Sequence, residues 1–220
     1  MNQTELFPSP PNDEPIGAVD LWALKMGLQP VIGLDEAGRG PLAGPVVAAA
    51  VVIPISPLPS TLSGLDDSKK LTEGAREVLF EAIMETALAV GIGSVDAATI
   101  DRINILEATR DAMRTAVSEA AAMLGRPAGA LLVDGHLPLP DYTGDQWPLV
   151  KGDGRSWAIA AASVIAKVTR DRHMRALDEA YPMYGFAKHK GYGTVSHRQA
   201  LVEHGPSPVH RGSFKWSPPT

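Results

Sequence analysis

The most informative absence in this 220-residue sequence is cysteine, of which there is none. Disulfides, thiolate nucleophiles and cysteine-ligated zinc sites are therefore excluded, and the composition suits a reducing cytoplasm. No run of about eighteen apolar residues is free of charge, Gly or Pro, so no membrane span is expected. Residues 1–15 lack the basic and apolar regions of a signal peptide. We expect a cytoplasmic protein without a membrane partner.

Positive charge is scarce in the first two thirds of the chain. Residues 1–150 contain 9 Lys/Arg against 20 Asp/Glu, whereas residues 151–220 contain 11 against 5. The net charge of −5 argues at first against a nucleic-acid partner. The separation of charge instead favours a basic face beside an acidic site. A charge-segregated soluble enzyme without such a partner explains the same numbers equally well.

The apolar pattern predicts one α/β domain over residues 17–216, after a disordered tail over residues 1–16 that carries four prolines. β-Branched runs bounded by Gly and Pro predict five strands, at residues 30–35, 45–53, 89–95, 130–133 and 146–150. Helical spacing and caps predict helices at residues 17–28, 72–89, 97–103, 104–124, 156–180 and 195–204. In the second of these helices, Val78, Leu79 and Ile83 belong to the predicted apolar face. This order of elements is typical of a mixed sheet flanked by helices.

Acidic side chains end three of the predicted strands: Asp35 with Glu36, Asp134, and Asp153. Ligands of open α/β sheets bind at the carboxyl ends of strands. Carboxylates gathered there repel one another unless divalent cations neutralise them. Mg²⁺ and Mn²⁺ prefer such oxygen ligands, and two ions together can activate a water and stabilise a leaving oxygen in phosphodiester hydrolysis. Any one of these Asp residues could simply begin a turn, but their combination favours a metal site.

Two other interpretations of these motifs are set aside. Asp171 is a rival ligand, but helical rise separates it from Asp153 by roughly 27 Å. Arg170 and Arg172 flank it and Arg175 lies four residues on, so an ion-pair role is expected for it. The segment 38–43, GRGPLA, matches the dinucleotide fingerprint G-x-G-x-x-A. Pro45 and a β-branched run replace the helix that this fingerprint requires, and Asp35 would repel a pyrophosphate. A nicotinamide-dependent dehydrogenase is therefore rejected.

Several motifs, in a single order, resemble bacterial ribonuclease HII. They cover roughly residues 17–215 and are DEAGRGPLAGPVVAAAV, the Asp-Ser-Lys-Lys of DDSKKL, INILEAT, LVDG, KGD with AAASVIAKVTRDR, and HKGYGT. The resemblance implies a ribonuclease H-like fold, with a central mixed five-stranded sheet flanked by helices and a small helical C-terminal part. It also implies that Asp35, Glu36, Asp134 and Asp153 are catalytic carboxylates that bind Mn²⁺ or Mg²⁺.

The same resemblance implies the substrate, which is an RNA/DNA hybrid or duplex DNA with an embedded ribonucleotide. Cleavage would fall on the 5′ side of the ribonucleotide and leave 3′-hydroxyl and 5′-phosphate ends. Gly38, Arg39, Gly40 and Tyr192 match the family's ribonucleotide-sensing elements. Glycine lets the backbone approach a sugar and bond its 2′-hydroxyl, while Tyr192 offers a flat face to a deoxyribose or base. Without the HKGY context, Tyr192 would be interpreted as a half-buried loop aromatic.

Basic and imidazole side chains are harder to assign. The candidate phosphate contacts are Lys69, Lys151, Lys188 and Lys190, although solvated surface lysines would have the same pattern. Arg39 either makes the same contact or pairs with a nearby acid. Surface or structural roles are expected for His173, His189, His197, His204 and His210.

Two questions of partnership remain open at this level. A hybrid-binding module without catalysis is the competing function, and it is disfavoured because a pure binder gains nothing from four acids facing phosphate. Residues Gln3-Thr4-Glu5-Leu6-Phe7 resemble the Gln-x-x-Leu-Phe peptides that dock on bacterial sliding clamps, and so short a pattern also arises by chance. We expect a monomer.

Overall fold

A mixed sheet of five strands lies at the centre of the fold. The computed structural model describes residues 9–12, 14–66 and 68–219. The strands are β1 (Val31–Ala37), β2 (Val46–Val52), β3 (Ala89–Val95), β4 (Ala130–Asp134) and β5 (Gln146–Leu149). Their order across the sheet is β3-β2-β1-β4-β5. Strands β1 to β3 pair antiparallel in sequence order, and β4 runs parallel to both β1 and β5. The five predicted strands and the antiparallel pairing of the first two are confirmed.

Seven α-helices accompany the sheet in the described part of the chain. They are α1 (Ala18–Lys25), α2 (Glu73–Thr86), α3 (Ala97–Ile103), α4 (Ile105–Leu124), α5 (Trp157–Ala180), α6 (Phe186–His189) and α7 (Val195–His204). Side-chain caps fix the beginnings of α2, α4 and α5: Thr72 accepts from the N–H of Ala75, Asn104 from that of Leu106, and Ser156 from that of Ile159. These caps satisfy backbone donors that have no partner within the helix.

Helices cover both faces of the sheet because β2 is apolar on both sides. Ala49 and Val51 pack in the core that contains α2 and α5, while Ala48, Ala50 and Val52 pack in the core that contains α4. Glycines bring the helices unusually close. A Cβ at Gly33 would lie 2.1 Å from the carbonyl carbon of Ala158 on α5, and one at Gly93 would lie 1.9 Å from the carbonyl oxygen of Ala112 on α4. The first turn of helix α5 therefore packs directly against β1.

Three details differ from the sequence-based expectation. Val78 was placed on the apolar face of α2, but its side chain is 72% exposed; Leu79, Phe80 and Ile83 face the core instead. Helix α2 ends at Thr86, because Ala87 is already extended. Strand β5 is shorter than predicted, so Asp153 does not end the strand but lies in a 3₁₀ turn, Gly152–Gly154, that follows it.

The beginning of the chain is described only in part. Of the predicted tail, residues 1–8 and 13 lie outside the described residues, and the clamp-like peptide Gln3–Phe7 lies among them. The boundaries of the tail and of the domain stay predictions. None of the helices in residues 9–12, 14–66 and 68–219 has both the length and the apolar character needed to cross a bilayer.

Candidate metal centre and the adjoining cleft

Strand register brings two carboxylates to one edge of the sheet. Strands β1 and β4 are parallel, and Leu34 pairs with Val133. The next residue on each strand, Asp35 and Asp134, is therefore at the same level. Asp153 reaches the same place from the turn after β5. That turn is held to β4 because the N–H of Gly152 donates to Oδ1 of Asp134 at 2.7 Å.

Asp35, Asp134 and Asp153 form a compact group, which we call the carboxylate cluster. One oxygen from each residue lies within 4.8 Å of the others. Asp35 is only 4% exposed and Asp153 is also buried. Burial, and then the negative charges of Glu36 and Asp134, raise the pKa of Asp35 well above its usual range. Three hard oxygen ligands under mutual repulsion fit a divalent cation, which would remove the electrostatic cost of ionising them.

Glu36, the fourth predicted ligand, is not a member of this cluster. Its carboxylate is 3.3 Å from Nη1 of Arg39. Burial raises the pKa of Glu36, and Arg39 opposes the rise. Glu36 nevertheless lines the same cleft as Asp35 and Asp134. In the described residues the structure thus gathers three of the four predicted carboxylates into one group and leaves the fourth at its edge.

The cleft next to the cluster contains the predicted sensing elements. Gly38, Arg39, Gly40 and Tyr192 all line it, together with Ser68, Lys69, Ser163 and Lys167. The side chain of Tyr192 is 47% exposed, and its ring lies 3.8 Å from where a Cβ on Gly40 would be. Gly38 has φ +97°, and a Cβ there would lie 2.0 Å from Nε of Arg170. No other residue fits at position 38 without displacing that arginine.

Two buried arginines hold this loop. Sequence reasoning named Arg170 only as a neighbour of Asp171 in an expected ion pair, and it gave Arg211 no role. Arg170 donates to the carbonyls of Ala43, Pro45 and Lys190. Arg211 donates to the carbonyls of Gly38, Arg39 and Gly44. Burial, and then the charge of Arg170, lower the pKa of Arg211 to about 9. The one available signal was the spacing of Arg170, four residues from each of two buried positions on α5, Ala166 and Met174.

The predicted lysine contacts occupy different surroundings. Nζ of Lys69 lies 3.4 Å from Oδ2 of Asp153. Lys151 lines a neighbouring groove with Asp134, Asp153 and Arg155. Lys190 is directed elsewhere, since its ammonium donates to the carbonyl of Ala187. Lys188 lies on α6, two residues before Lys190.

The rival ligand Asp171 is not a member of the carboxylate cluster. Its carboxylate pairs with Nζ of Lys167 at 2.7 Å. The predicted ion-pair role is confirmed, although the partner is Lys167 and not one of the neighbouring arginines. The dinucleotide interpretation also fails, because Gly40 is followed by a loop and then by β2, with no helix to receive a pyrophosphate.

Comparison with known proteins gives concordant results. A family model described as Ribonuclease HII matches residues 32–217. The Ribonuclease HII of Geobacter sulfurreducens is 54% identical over 193 residues, which are 88% of this chain and 85% of that protein. The Ribonuclease HII of Geotalea daltonii is 55% identical over 188 residues, covering 86% and 83%.

Solved structures also resemble this chain. The RNase HII in a PCNA complex from Archaeoglobus fulgidus matches with a TM-score of 0.69 and 26% identity, over 86% of this chain and 97% of that one. The structure of Bst-RNase HIII in complex with Mn²⁺ matches with a TM-score of 0.66 over 84% of this chain and 66% of that one; at 22% identity it informs on the fold alone.

Proposed function

The chain belongs to the ribonuclease HII family, and from this premise we propose which bond it cuts and which residues cut it. Family membership makes it a ribonuclease H, an endonuclease acting on RNA/DNA hybrids, and the ribonuclease H-like fold is established. We propose in addition that it incises duplex DNA on the 5′ side of an embedded ribonucleotide. The products would carry 3′-hydroxyl and 5′-phosphate ends.

The observation that carries this proposal is the pairing of a carboxylate cluster with a sensing loop in one cleft. Asp35, Asp134 and Asp153 present oxygens within 4.8 Å of one another. Gly38, Gly40 and Tyr192 line the adjoining surface. A group that hydrolyses a phosphodiester and a group that reads a sugar would thus contact neighbouring parts of one strand. A protein that only bound hybrids would gain nothing from the first group.

The carboxylates are assigned to hold two divalent cations, Mn²⁺ or Mg²⁺. Asp35, Asp134 and Asp153 would be direct ligands, and Glu36 would join them by turning from Arg39. The ions, when bound, would activate a water and stabilise the 3′-oxygen that leaves. The protein itself fixes the ligand directions: Asp35 accepts from the N–H of Glu36 at 2.7 Å, and Asp134 accepts from that of Gly152.

The sensing loop is assigned to the ribose. Backbone groups of residues 38–40 would bond the 2′-hydroxyl, which distinguishes RNA from DNA. The half-exposed ring of Tyr192 would pack on the next sugar or base. Lys69 and Lys151 lie beside the cluster, where a phosphate would approach, and we assign them to phosphate contacts. Arg39 and Lys190 are retained as candidate contacts at the margin of this surface.

The remaining proposals concern a protein partner, the oligomeric state and the location in the cell. The Archaeoglobus fulgidus relative was solved as a complex with PCNA. By analogy, we propose that Gln3–Phe7 attaches this chain to a sliding clamp. A monomeric state and a cytoplasmic location stay predictions of the sequence.

The proposed reaction is tested with a labelled duplex that contains one ribonucleotide, incubated with Mg²⁺ or Mn²⁺. We expect one cut, on the 5′ side of the ribonucleotide, with a product that a DNA polymerase extends without end repair. An all-DNA duplex of the same sequence is the control and should stay intact. Tight binding of the uncut substrate with either metal would favour the hybrid-binding module instead.

A further inference from the structure

Three buried histidines lie beneath Tyr192, and we call them the histidine chain: His189, His197 and His210. They come from α6, α7 and the C-terminal segment. The rings of His189 and His197 stack with centroids 4.4 Å apart. Burial lowers the pKa of all three histidines, that of His210 to about 4, so their rings are neutral at pH 7. All six ring nitrogens have a hydrogen-bond partner, as buried polar atoms require.

The hydrogen bonds run in one direction toward Tyr192. The N–H of Ser207 donates to Nδ1 of His210 at 2.9 Å, so the proton of the neutral His210 ring is on Nε2. That proton is donated to Nε2 of His197, 3.0 Å away. The proton of His197 must then be on Nδ1, which lies 3.0 Å from the carbonyl oxygen of Tyr192. His210 therefore selects the tautomer with which His197 holds Tyr192.

His189 completes the attachment from the other side. Its Nδ1 accepts from the N–H of Gly191 at 3.2 Å, so its Nε2 donates to the carbonyl of Tyr184 at 2.7 Å. The backbone carbonyl of His189 also accepts from the N–H of Tyr192. Both backbone polar groups of Tyr192 are thus bound to members of the histidine chain, and the carbonyl also accepts from the N–H of Thr194 at 2.8 Å.

The same C-terminal segment also holds the Gly38–Gly40 loop, which lines the cleft together with Tyr192. Arg211, which follows His210 directly, donates to the carbonyls of Gly38 and Arg39. The N–H of Arg211 donates to the carbonyl of Leu42, and the N–H of Leu42 donates to that of Gly191. One dipeptide, His210–Arg211, therefore connects Tyr192 to the loop that contains Gly38 and Gly40.

We propose that His197, oriented by His210, is a positioning residue that sets Tyr192 against the Gly38–Gly40 loop and so determines selectivity for ribonucleotides in duplex DNA. The inference rests on the proposed function. It adds that selectivity is built from the histidine chain as well as from the residues that touch the substrate. His197 itself is fully buried and acts through Tyr192.

The test compares two amides at position 197. In His197→Asn the amide N–H replaces the Nδ1–H that binds Tyr192, whereas in His197→Gln it lies near the position of Nε2 and cannot reach that carbonyl. The readout is the ratio of kcat/KM on the single-ribonucleotide duplex to kcat/KM on a uniform RNA/DNA hybrid. We expect the Gln variant to lose about tenfold in this ratio, the worth of one buried hydrogen bond, and the Asn variant to stay within about threefold. Exposed His173→Gln is the matched control.

A second measurement guards against simple loss of folding. In a Tyr192→Ala background, His197→Gln should have no further effect on the ratio, because the residue that it positions is gone. Equal losses on both substrates in the Gln variant, or a further drop in the ratio of the double variant, would overturn the inference. Failure of the wild-type protein to cut either substrate would instead refute the proposed function, so the two failures are distinguishable.

Discussion

The carboxylate cluster and the histidine chain both act on one cleft, the first through Asp35 and Asp134 and the second through Tyr192. Their electrostatics are opposite. In the cluster, burial and neighbouring negative charge raise the pKa of Asp35. In the histidine chain, neutral rings are buried and each nitrogen is bound. The first arrangement is unfavourable until a cation arrives, and the second is satisfied by the protein alone.

The difference assigns a physical role to each region. A group that must bind cations benefits from negative charge that the fold does not neutralise, at a cost in stability. A group that must discriminate two sugars differing by one hydroxyl benefits from a rigid backbone. Substitutions in the carboxylate cluster should therefore lower cleavage and raise stability. Substitutions at Tyr192 or in the histidine chain should change selectivity.

The largest effect is expected at the cluster. Asp35→Asn removes one ligand oxygen charge, so cleavage of either substrate should fall by at least about 10³-fold. Affinity for the duplex should be retained or should rise, because a negative charge near phosphate is lost. Gel-shift binding and single-turnover cleavage measure the two quantities. Substantial turnover in this variant would contradict the assignment of Asp35 as a ligand.

A smaller effect on cleavage, which differs between the two substrates, is expected at Tyr192. Tyr192→Ala should lower kcat/KM on the single-ribonucleotide duplex by about 10- to 100-fold, because about 1–3 kcal/mol of stacking is lost. Cleavage of a long uniform hybrid should change less. Tyr192→Phe keeps the ring and separates stacking from the hydroxyl. Equal losses on both substrates would remove the distinction between the two regions.

The substitution that abolishes cleavage should also make the metal-free protein more stable. Without metal at pH 7, Asp35→Asn should raise the free energy of unfolding by about 1–3 kcal/mol, because it relieves buried repulsion. Added Mn²⁺ should stabilise the wild type and have little effect on the variant. Urea unfolding with and without Mn²⁺ measures both effects. The matched control is Asp171→Asn, which breaks the buried pair with Lys167 and should destabilise the protein. A destabilised Asp35→Asn would argue that the cluster is not repulsive.

The histidine chain should give the smallest effect, visible as a pH dependence. The pKa of His210 falls from 6.5 to about 4 on folding, so its contribution is complete above pH 6.5 and is lost as the pH falls toward 4. His197 and His189 face His210, and Asp178 and Lys188 lie near His189. The stability of the wild type relative to His210→Gln should therefore decline by about 1 kcal/mol between pH 6.5 and 5.5.

Urea midpoints at several pH values measure this difference. Burial raises the pKa of Asp20 to about 6, so this acid also titrates here, but its contribution cancels because both proteins contain it. The exposed His173→Gln reports the effect of removing a histidine as such. A difference between wild type and His210→Gln that does not vary with pH would show that His210 does not titrate as its burial implies.

Sequence reasoning reached the carboxylates because each follows an apolar run, although only Asp134 ends its strand: β1 continues past Asp35 to Ala37, and Asp153 lies in the turn after β5. It left two roles open for Arg39, a phosphate contact or a pair with a nearby acid, and it did not single out Glu36 as that acid because the pairing depends on side-chain rotation. It placed Val78 in the core because helical spacing gives the width of an apolar face only approximately. In each case the missing information was the direction of one side chain.

The supports of the cleft were invisible for a different reason. Arg170 and Arg211 are charged residues whose partners are backbone carbonyls in distant loops, which leave no residue-type signature. The histidine chain joins three segments that are separated in sequence, and its proton positions follow only from the hydrogen bonds. The sequence predicted structural or surface roles for these histidines, and their burial confirms the former for His189, His197 and His210.

The most direct test of the division between hydrolysis and selection is to map the cut in a duplex with one ribonucleotide, using wild type and Tyr192→Ala side by side with Mn²⁺. We predict that the wild type breaks a single phosphodiester, on the 5′ side of the ribonucleotide. We also predict that Tyr192→Ala, while still degrading a uniform hybrid, cuts this duplex far more slowly. Wild-type cuts scattered along the duplex, or an unchanged rate at the ribonucleotide in Tyr192→Ala, would contradict the division between hydrolysis and selection.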